Sequence, residues 1–307
     1  MSLGAGIRTL DAARWRSIAM ITLIAVVLYV GFRALPTGTN LHSVDFAVQG
    51  KGMVDYCDPA NPQFIPVTTA RSPVEMTLIG DGPAVPGKTG RYVLVLKTST
   101  GKPVGPADLL VAHTRKLHLL IADPTLSDYQ HVHPEPGARP GEWTFAFAPR
   151  LAGTYRVFAD FTPAATARGL YASTDLSVAG SVAPSPHGLS WRADVDGYRF
   201  QLSPGDAPIV ARQIVNLTFT LTRDDGGPVL MEPVMDAYAH LVAFDVDRGG
   251  FAHLHPNETD LTLPPDAVRP RLTFKVTLPS SGLYVIWAQV KLAGREVFAP
   301  FWFEVAP

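Results

Sequence analysis

Apolar positions along this chain fall into two regimes. From Ser17 to Leu35 they form one nearly unbroken stretch, SIAMITLIAVVLYVGFRAL, whose single charge is Arg33. At about 1.5 Å rise per residue this matches one membrane-spanning helix. From Val74 onward the apolar residues come in short runs rich in Val, Tyr, Phe, Leu and Thr, each closed by Gly, Pro or Asp. Such runs read as β-strands separated by turns. They form two successive series. The first is VEMTLIG, RYVLVLKTS, DLLVAHTRKLHLLIAD, YQHVHP, GEWTFAFAP, GTYRVFADFTP and YASTDLSVAG. The second is LSWRADVDGYRFQLS, IVNLTFTLTRDDG, AYAHLVAFDV, FAHLHP, RLTFKVTLP, GLYVIWAQV and VFAPFWFEV.

The two series match in order. In both, a glycine turn is followed closely by a tyrosine, Gly153-Thr154-Tyr155 against Gly282-Leu283-Tyr284, as at the corner of an immunoglobulin-type sandwich. The predicted fold class is therefore all-β: two tandem immunoglobulin-like or cupredoxin-like β-sandwiches behind one N-terminal transmembrane helix. The division is 1–16 as a cytoplasmic N-terminus, 17–35 as the anchor, 36–72 as a stalk with one short strand near Ser43–Val48, 73–180 as the first sandwich, 181–188 as a linker and 189–307 as the second. Trp143, Trp191, Trp287 and Trp302 sit in strand patterns and are expected in cores.

Arg8, Arg14 and Arg16 precede the apolar stretch. The positive-inside rule then puts the N-terminus in the cytoplasm and the β-domains outside it, with the chain single-pass in a bacterial inner membrane. The rival reading, a cleaved signal peptide, gives the same compartment, but the stretch is longer than a usual signal core and no A-x-A site follows it. The 28 prolines and 26 glycines suit a turn-rich β-protein, and the near-neutral net charge of −1 argues against a nucleic-acid partner. The single cysteine, Cys57, excludes an intramolecular disulfide, so the sandwiches must be held by their cores. It reads as a solitary thiol.

Seven of the nine histidines carry the candidate chemistry. His118 is followed after twelve residues by His131-Val132-His133-Pro134, and His240 after twelve by His253-Leu254-His255-Pro256. Side chains alternate across a strand. A turn centred between Thr125 and Leu126 sets His118 opposite His133 and Leu120 opposite His131. A turn centred between Asp247 and Arg248 does the same for His240 and His255, with His253 diagonal. Each copy then presents three imidazoles on one face of one hairpin, enough to hold a transition metal with a coordination position left open. His113 is a further candidate ligand in the first domain, provided a bend brings it to the face of His118. Met235 stands at its place in the second domain, with Met231 nearby. Imidazoles suit zinc, copper, nickel or iron, and a thioether beside them favours copper, so a copper ion is the expected cargo and zinc the other candidate. The competing reading makes the histidines structural, their nitrogens taken up by backbone carbonyls. Asp123 and Asp245 follow the first histidine strand in each copy and read as turn caps. His42 and His187 are expected to be solvated.

VAHTRKLHLLIADPTLSDYQHVHPEP and MEPVMDAYAHLVAFDVDRGGFAHLHPNE resemble bacterial envelope proteins with repeated HL…HxHP motifs, YtkA-like and FixH-like domains, and distantly the cupredoxins. The resemblance spans roughly 72–307 and implies β-sandwiches associated with heavy metals. The cysteine ligand that a blue-copper cupredoxin carries in a C-terminal loop is missing, which argues against that electron-transfer site. The expected function is a membrane-anchored extracytoplasmic metal-binding protein for storage, delivery or resistance, handing its ion to another envelope protein. It is not expected to be an enzyme, since only Asp123 or Glu135 offers itself as a base. The alternative is a non-metal interaction or spacer module of the envelope.

Overall fold

The computed structural model describes residues 11–34, 41–46, 64–184 and 187–307; Cys57 lies outside them. Two units are distinguished, 1–40 and 41–307. The first contains helix α1 (Ala12–Ala34), whose window Ala12–Gly31 is long and apolar enough to cross a membrane.

The second unit is all-β. Its first sandwich contains β1 (Val74–Gly80), β2 (Gly90–Thr98), β3 (Leu117–Ala122), β4 (Tyr129–Val132), β5 (Glu135–Pro136), β6 (Glu142–Phe147), β7 (Gly153–Phe161) and β8 (Leu170–Val178). These make two four-stranded sheets, ordered β1-β2-β6-β5 and β4-β3-β7-β8. The second sandwich contains β9 (Arg192–Val195), β10 (Tyr198–Ser203), β11 (Ile214–Arg223), β12 (Met231–Glu232), β13 (His240–Asp245), β14 (Ala252–Leu254), β15 (Arg271–Thr277), β16 (Gly282–Leu292) and β17 (Arg295–Val305). Its sheets run β15-β11-β10-β9 and β12-β16-β13-β14, with β17 paired to β16. The expected tyrosine corners are present: the hydroxyls of Tyr155 and Tyr284 each lie 3.1 Å from the carbonyl oxygen four residues upstream, at Leu151 and Ser280.

Each sandwich has its own core between its sheets, one containing Leu94, Leu119, Trp143 and Phe147, the other Phe200, Phe219, Leu241 and Phe301. A third core lies between the sandwiches. Leu120, Ala122, Tyr129 and Phe158 of the first pack with Val242, Phe244, Phe251, Trp287 and Trp302 of the second. Strand alternation explains the division: on β3, Leu117, Leu119 and Ile121 enter the domain core while Leu120 and Ala122 enter the interdomain core. Both faces of β3 are therefore covered, and all six of its residues are buried. Trp287 and Trp302 thus seal the joint between domains rather than fill a sandwich.

Polar contacts fix the joint. Arg248 Nη1 donates to the Thr154 carbonyl at 2.7 Å and Trp287 Nε1 to the Leu126 carbonyl at 3.2 Å. His187, expected to be solvated in the linker, instead stacks on Trp302 at 3.7 Å between ring centres and donates from Nε2 to the Thr125 carbonyl at 2.6 Å. The expected stalk is also partly built into the body. Ser43–Phe46 is a 3-10 turn rather than a strand, and Phe46 is buried in the first domain core. Ile65 pairs with Phe251 through two backbone hydrogen bonds, 2.7 and 3.1 Å, strapping the segment before the first sandwich onto the second. Gly250 permits that approach, since a β-carbon there would collide with the Ile65 carbonyl oxygen.

If the joint is a packed core, truncation within it costs as much as truncation within a sandwich. Phe158, fully buried between the domains, is the test position. Phe158→Ala is expected to lower the unfolding free energy by about 3–5 kcal/mol in urea denaturation. A change under about 1 kcal/mol would mean that the domains are only loosely apposed.

Candidate metal centre

The hairpin registers are those the histidine spacing predicts: Leu120 pairs with His131 on β3–β4, and Val242 with His253 on β13–β14. His133 and His255 lie just past the ends of β4 and β14, carried one step along each hairpin toward His118 and His240. His118, His131 and His133 form one group and His240, His253 and His255 another, each with ring nitrogens within 4.8 Å of one another. His118, His131 and His240 are buried, while His133, His253 and His255 are half-buried.

Hydrogen bonding assigns a proton to one nitrogen of four rings. Ala112 and Arg115 close a two-residue turn over His113 and Thr114, whose φ angles of 48° and 68° are those of a type I′ turn. The Ala112 carbonyl lies 3.0 Å from His118 Nε2. A carbonyl only accepts, so Nε2 carries the proton and Nδ1 keeps its lone pair. The second domain repeats this: Val234 and Ala237 close a turn over Met235 and Asp236, and the Val234 carbonyl lies 2.9 Å from His240 Nε2. His131 Nδ1 is 2.8 Å from Gln289 Oε1, and Gln289 Nε2 donates to Glu296 at 2.7 Å. That donation fixes the amide orientation, so His131 donates from Nδ1 and keeps a lone pair on Nε2. His253 Nδ1 lies 3.4 Å from Asp160 Oδ2, which sets the same tautomer.

Each triad therefore turns Nδ1 of its first histidine and Nε2 of its second inward. His133 Nε2, His240 Nδ1, His253 Nε2 and His255 Nε2 are buried without a hydrogen-bond partner. His118 Nδ1 and His131 Nε2 stand 3.2 Å apart, and by the assignment above both present lone pairs. No proton relieves this near neutrality. Burial, reinforced by neighbouring imidazoles, holds His131 and His253 well below the usual imidazole range. Burial likewise pulls His133 down to about 3 and His240 to about 4, and lowers His255 further. Converging ring nitrogens on imidazoles of lowered pKa, four of them with the other nitrogen tied outward, form a donor set that could hold a metal ion.

The outward partners cross between domains. Asp160 stands opposite His118 on β7, and Gln289 opposite His240 on β16. Yet Asp160 holds His253 of the second domain and Gln289 holds His131 of the first. The triads are neighbours, His131 and His253 lying 5.6 Å apart between ring centres. His113 stacks on His255 of the second domain at 3.9 Å and 20°, with His118 of its own domain 6.3 Å away and His240 and His253 each 6.2 Å away. Burial lowers its pKa also. Met235 occupies the matching turn position, half-buried. Asp123 and Asp245 cap turns, accepting backbone hydrogen bonds from Thr125 and Asp128 and from Gly249 at 2.8 Å. Glu135 is exposed and paired with Arg115.

Sequence reasoning missed Asp160, Gln289 and the facing of the triads. A signal existed: Asp160 in VFADF and Gln289 in VIWAQV are polar residues at matching places in two otherwise apolar runs.

A family model described as a domain of unknown function (DUF8832) matches residues 69–176 and again 193–307, one match per sandwich and well over half the chain. The chain belongs to the DUF8832 family. That family, rather than the YtkA-like or FixH-like domains, is the kinship shown. No curated protein matches. Among solved structures, similarity is found to a membrane anchored protein from Corynebacterium diphtheriae at 10% identity and TM-score 0.25, covering 76% of this chain and 59% of that one. A Salmonella alpha-2-macroglobulin is similar at 11% identity and TM-score 0.24, covering 76% and 16%. The E. coli alpha-2-macroglobulin is similar at 13% identity and TM-score 0.23, covering 86% and 15%. The chain spans less than two thirds of each, and at these scores the likenesses carry no weight for this DUF8832 protein.

The buried imidazoles predict an acid-sensitive apoprotein. Their folded pKa values lie below about 6.5, the unfolded value. Below that pH the unfolded chain takes up protons that the folded chain refuses, so stability present above about pH 6.5 is lost on acidification. The window for His133 and His240 runs from about 6.5 to about 3 and about 4 respectively. In chelator, unfolding free energy is expected to fall between pH 6.5 and 4, by about 1.4 kcal/mol per pH unit for each such group. Replacing His133 and His240 with Gln should flatten that slope; an unchanged slope would place the acid sensitivity elsewhere.

Proposed function

We propose that this protein is a membrane-anchored, extracytoplasmic metal-binding protein of the bacterial envelope, with copper as its cargo, serving storage, delivery or resistance. The observation that carries the reading is the convergence of six imidazoles, three from each DUF8832 repeat, four of which have one ring nitrogen held outward by a carbonyl, amide or carboxylate oxygen. A structural role for the histidines would spend those nitrogens on the fold; here four are buried without partners. Helix α1 supplies the anchor, and Arg8, Arg14 and Arg16, before its apolar stretch, the orientation.

Copper(II) binds such nitrogen sites more tightly than the other first-row divalent ions, zinc included. Three imidazoles leave each ion a further position, through which another envelope protein would take it. The protein is a carrier rather than an enzyme: the paired Glu135 and the turn-capping Asp123, the two bases the sequence offered, are both engaged elsewhere.

Elemental analysis with copper and zinc addition to the detergent-purified chain tests this. Two ions per chain are expected, with copper displacing zinc. Changing His131 and His133 to Ala should remove one ion, and changing His253 and His255 to Ala the other. Absence of stoichiometric binding, or binding that survives both changes together, would overturn the reading. Tighter retention of zinc than copper would overturn the choice of cargo.

A further inference from the structure

The two triads offer the same ligand atoms but not the same surroundings. His253 is oriented by a carboxylate, Asp160, whereas His131 is oriented by a neutral amide, Gln289. A carboxylate behind a ligating imidazole raises its basicity and compensates the charge of a divalent ion more than an amide does. Asp160 faces His118 across the β3–β7 ladder, but its hydrogen bond goes to His253, and His113 stacks on His255 of the same triad.

Building on the metal-binding reading, we propose that the two repeats form one dinuclear centre loaded in a fixed order, a divalent ion entering the His240–His253–His255 triad first. The first-filled triad is thus tuned by a residue of the opposite domain. Asp160 is a positioning residue for the second domain's ion and Gln289 for the first domain's, so neither domain's site is complete without the other. The first triad, backed by an amide, is the weaker and more exchangeable position, from which an ion is released.

The test is stepwise addition of copper(II) to the full chain in detergent against a competing chelator, followed by electron paramagnetic resonance. Two resolved steps are expected. His255→Ala should abolish the tighter step and His133→Ala the weaker. Asp160→Asn keeps an acceptor for His253 while removing the charge. It is expected to weaken the tighter step about 10–100-fold, the usual cost of losing an outer partner, and to change the resonance of the first ion. Gln289→Ala should weaken only the other step. A purely structural role for Asp160 would weaken both steps alike and leave the first ion's spectrum unchanged. Two indistinguishable steps, loss of the tighter step in His133→Ala, or equal weakening of both steps by Asp160→Asn would overturn the order while leaving metal binding intact. No binding at all would overturn both. Should Asp160→Asn fail to fold, the two single-histidine variants still decide which triad fills first.

Discussion

The structure depends on the burial of two sheet faces against each other. The outer faces of β3–β7 and β13–β16 carry Leu120, Phe158, Val242, Phe244 and Trp287, which water would not tolerate as an open patch. Closing them together desolvates everything else on those faces, including a row of imidazoles at one end. Each imidazole brings two nitrogens into a place where an unmade hydrogen bond costs on the order of 1–3 kcal/mol. The fold supplies an outward partner for one nitrogen of His118, His131, His240 and His253, and turns the other toward its neighbours. A cation is the group that satisfies several such lone pairs at once. The hydrophobic joint and the candidate metal centre are two ends of one interface.

Strand geometry explains why the centre appears twice. With a side-chain period of two, a hairpin register that pairs Leu120 with His131 places His118 beside His133. The equivalent register in the second repeat, Val242 with His253, places His240 beside His255. Both type I′ turns, over His113-Thr114 and Met235-Asp236, deliver a carbonyl to the first histidine of their triad. Because the repeats pack through the histidine-bearing faces, each presents its second outer partner to the other's triad, and the crossing of Asp160 and Gln289 follows.

The sequence disclosed whatever depends on neighbours within a hairpin. The all-β class, the two series, the register, the tyrosine corners and both triads followed from local periodicity and from the equal spacing of His118…His133 and His240…His255. What lay outside that range was set by the joint. Chain proximity points His113 at its own triad, whereas the turn stacks its ring on His255 across the joint. His187 was set aside as linker, whereas Trp302 stacks on it. The joint had left a trace. A strand with one wet face alternates, but HLLIA, HLVAF and YVIWA do not, and a run that is apolar on both faces must be covered on both. Reading that loss of alternation would have required a second domain on the far face of each histidine hairpin.

The repeats agree at the ligands and differ one layer out. Ligand atoms are fixed by strand register and by the turn carbonyls, so altering them disturbs the hairpin itself. The residues behind them, Asp160 and Gln289, stand on the neighbouring strand, where either side chain accepts from an imidazole without any change of backbone pairing. Charge can therefore be exchanged for neutrality at that position at little cost to the fold. On the proposed reading, two sites of one geometry thereby differ in affinity for a dication, which gives a duplicated module a direction. On the proposed loading, the ion behind Asp160 is the one held firmly and the ion behind Gln289 the one that exchanges.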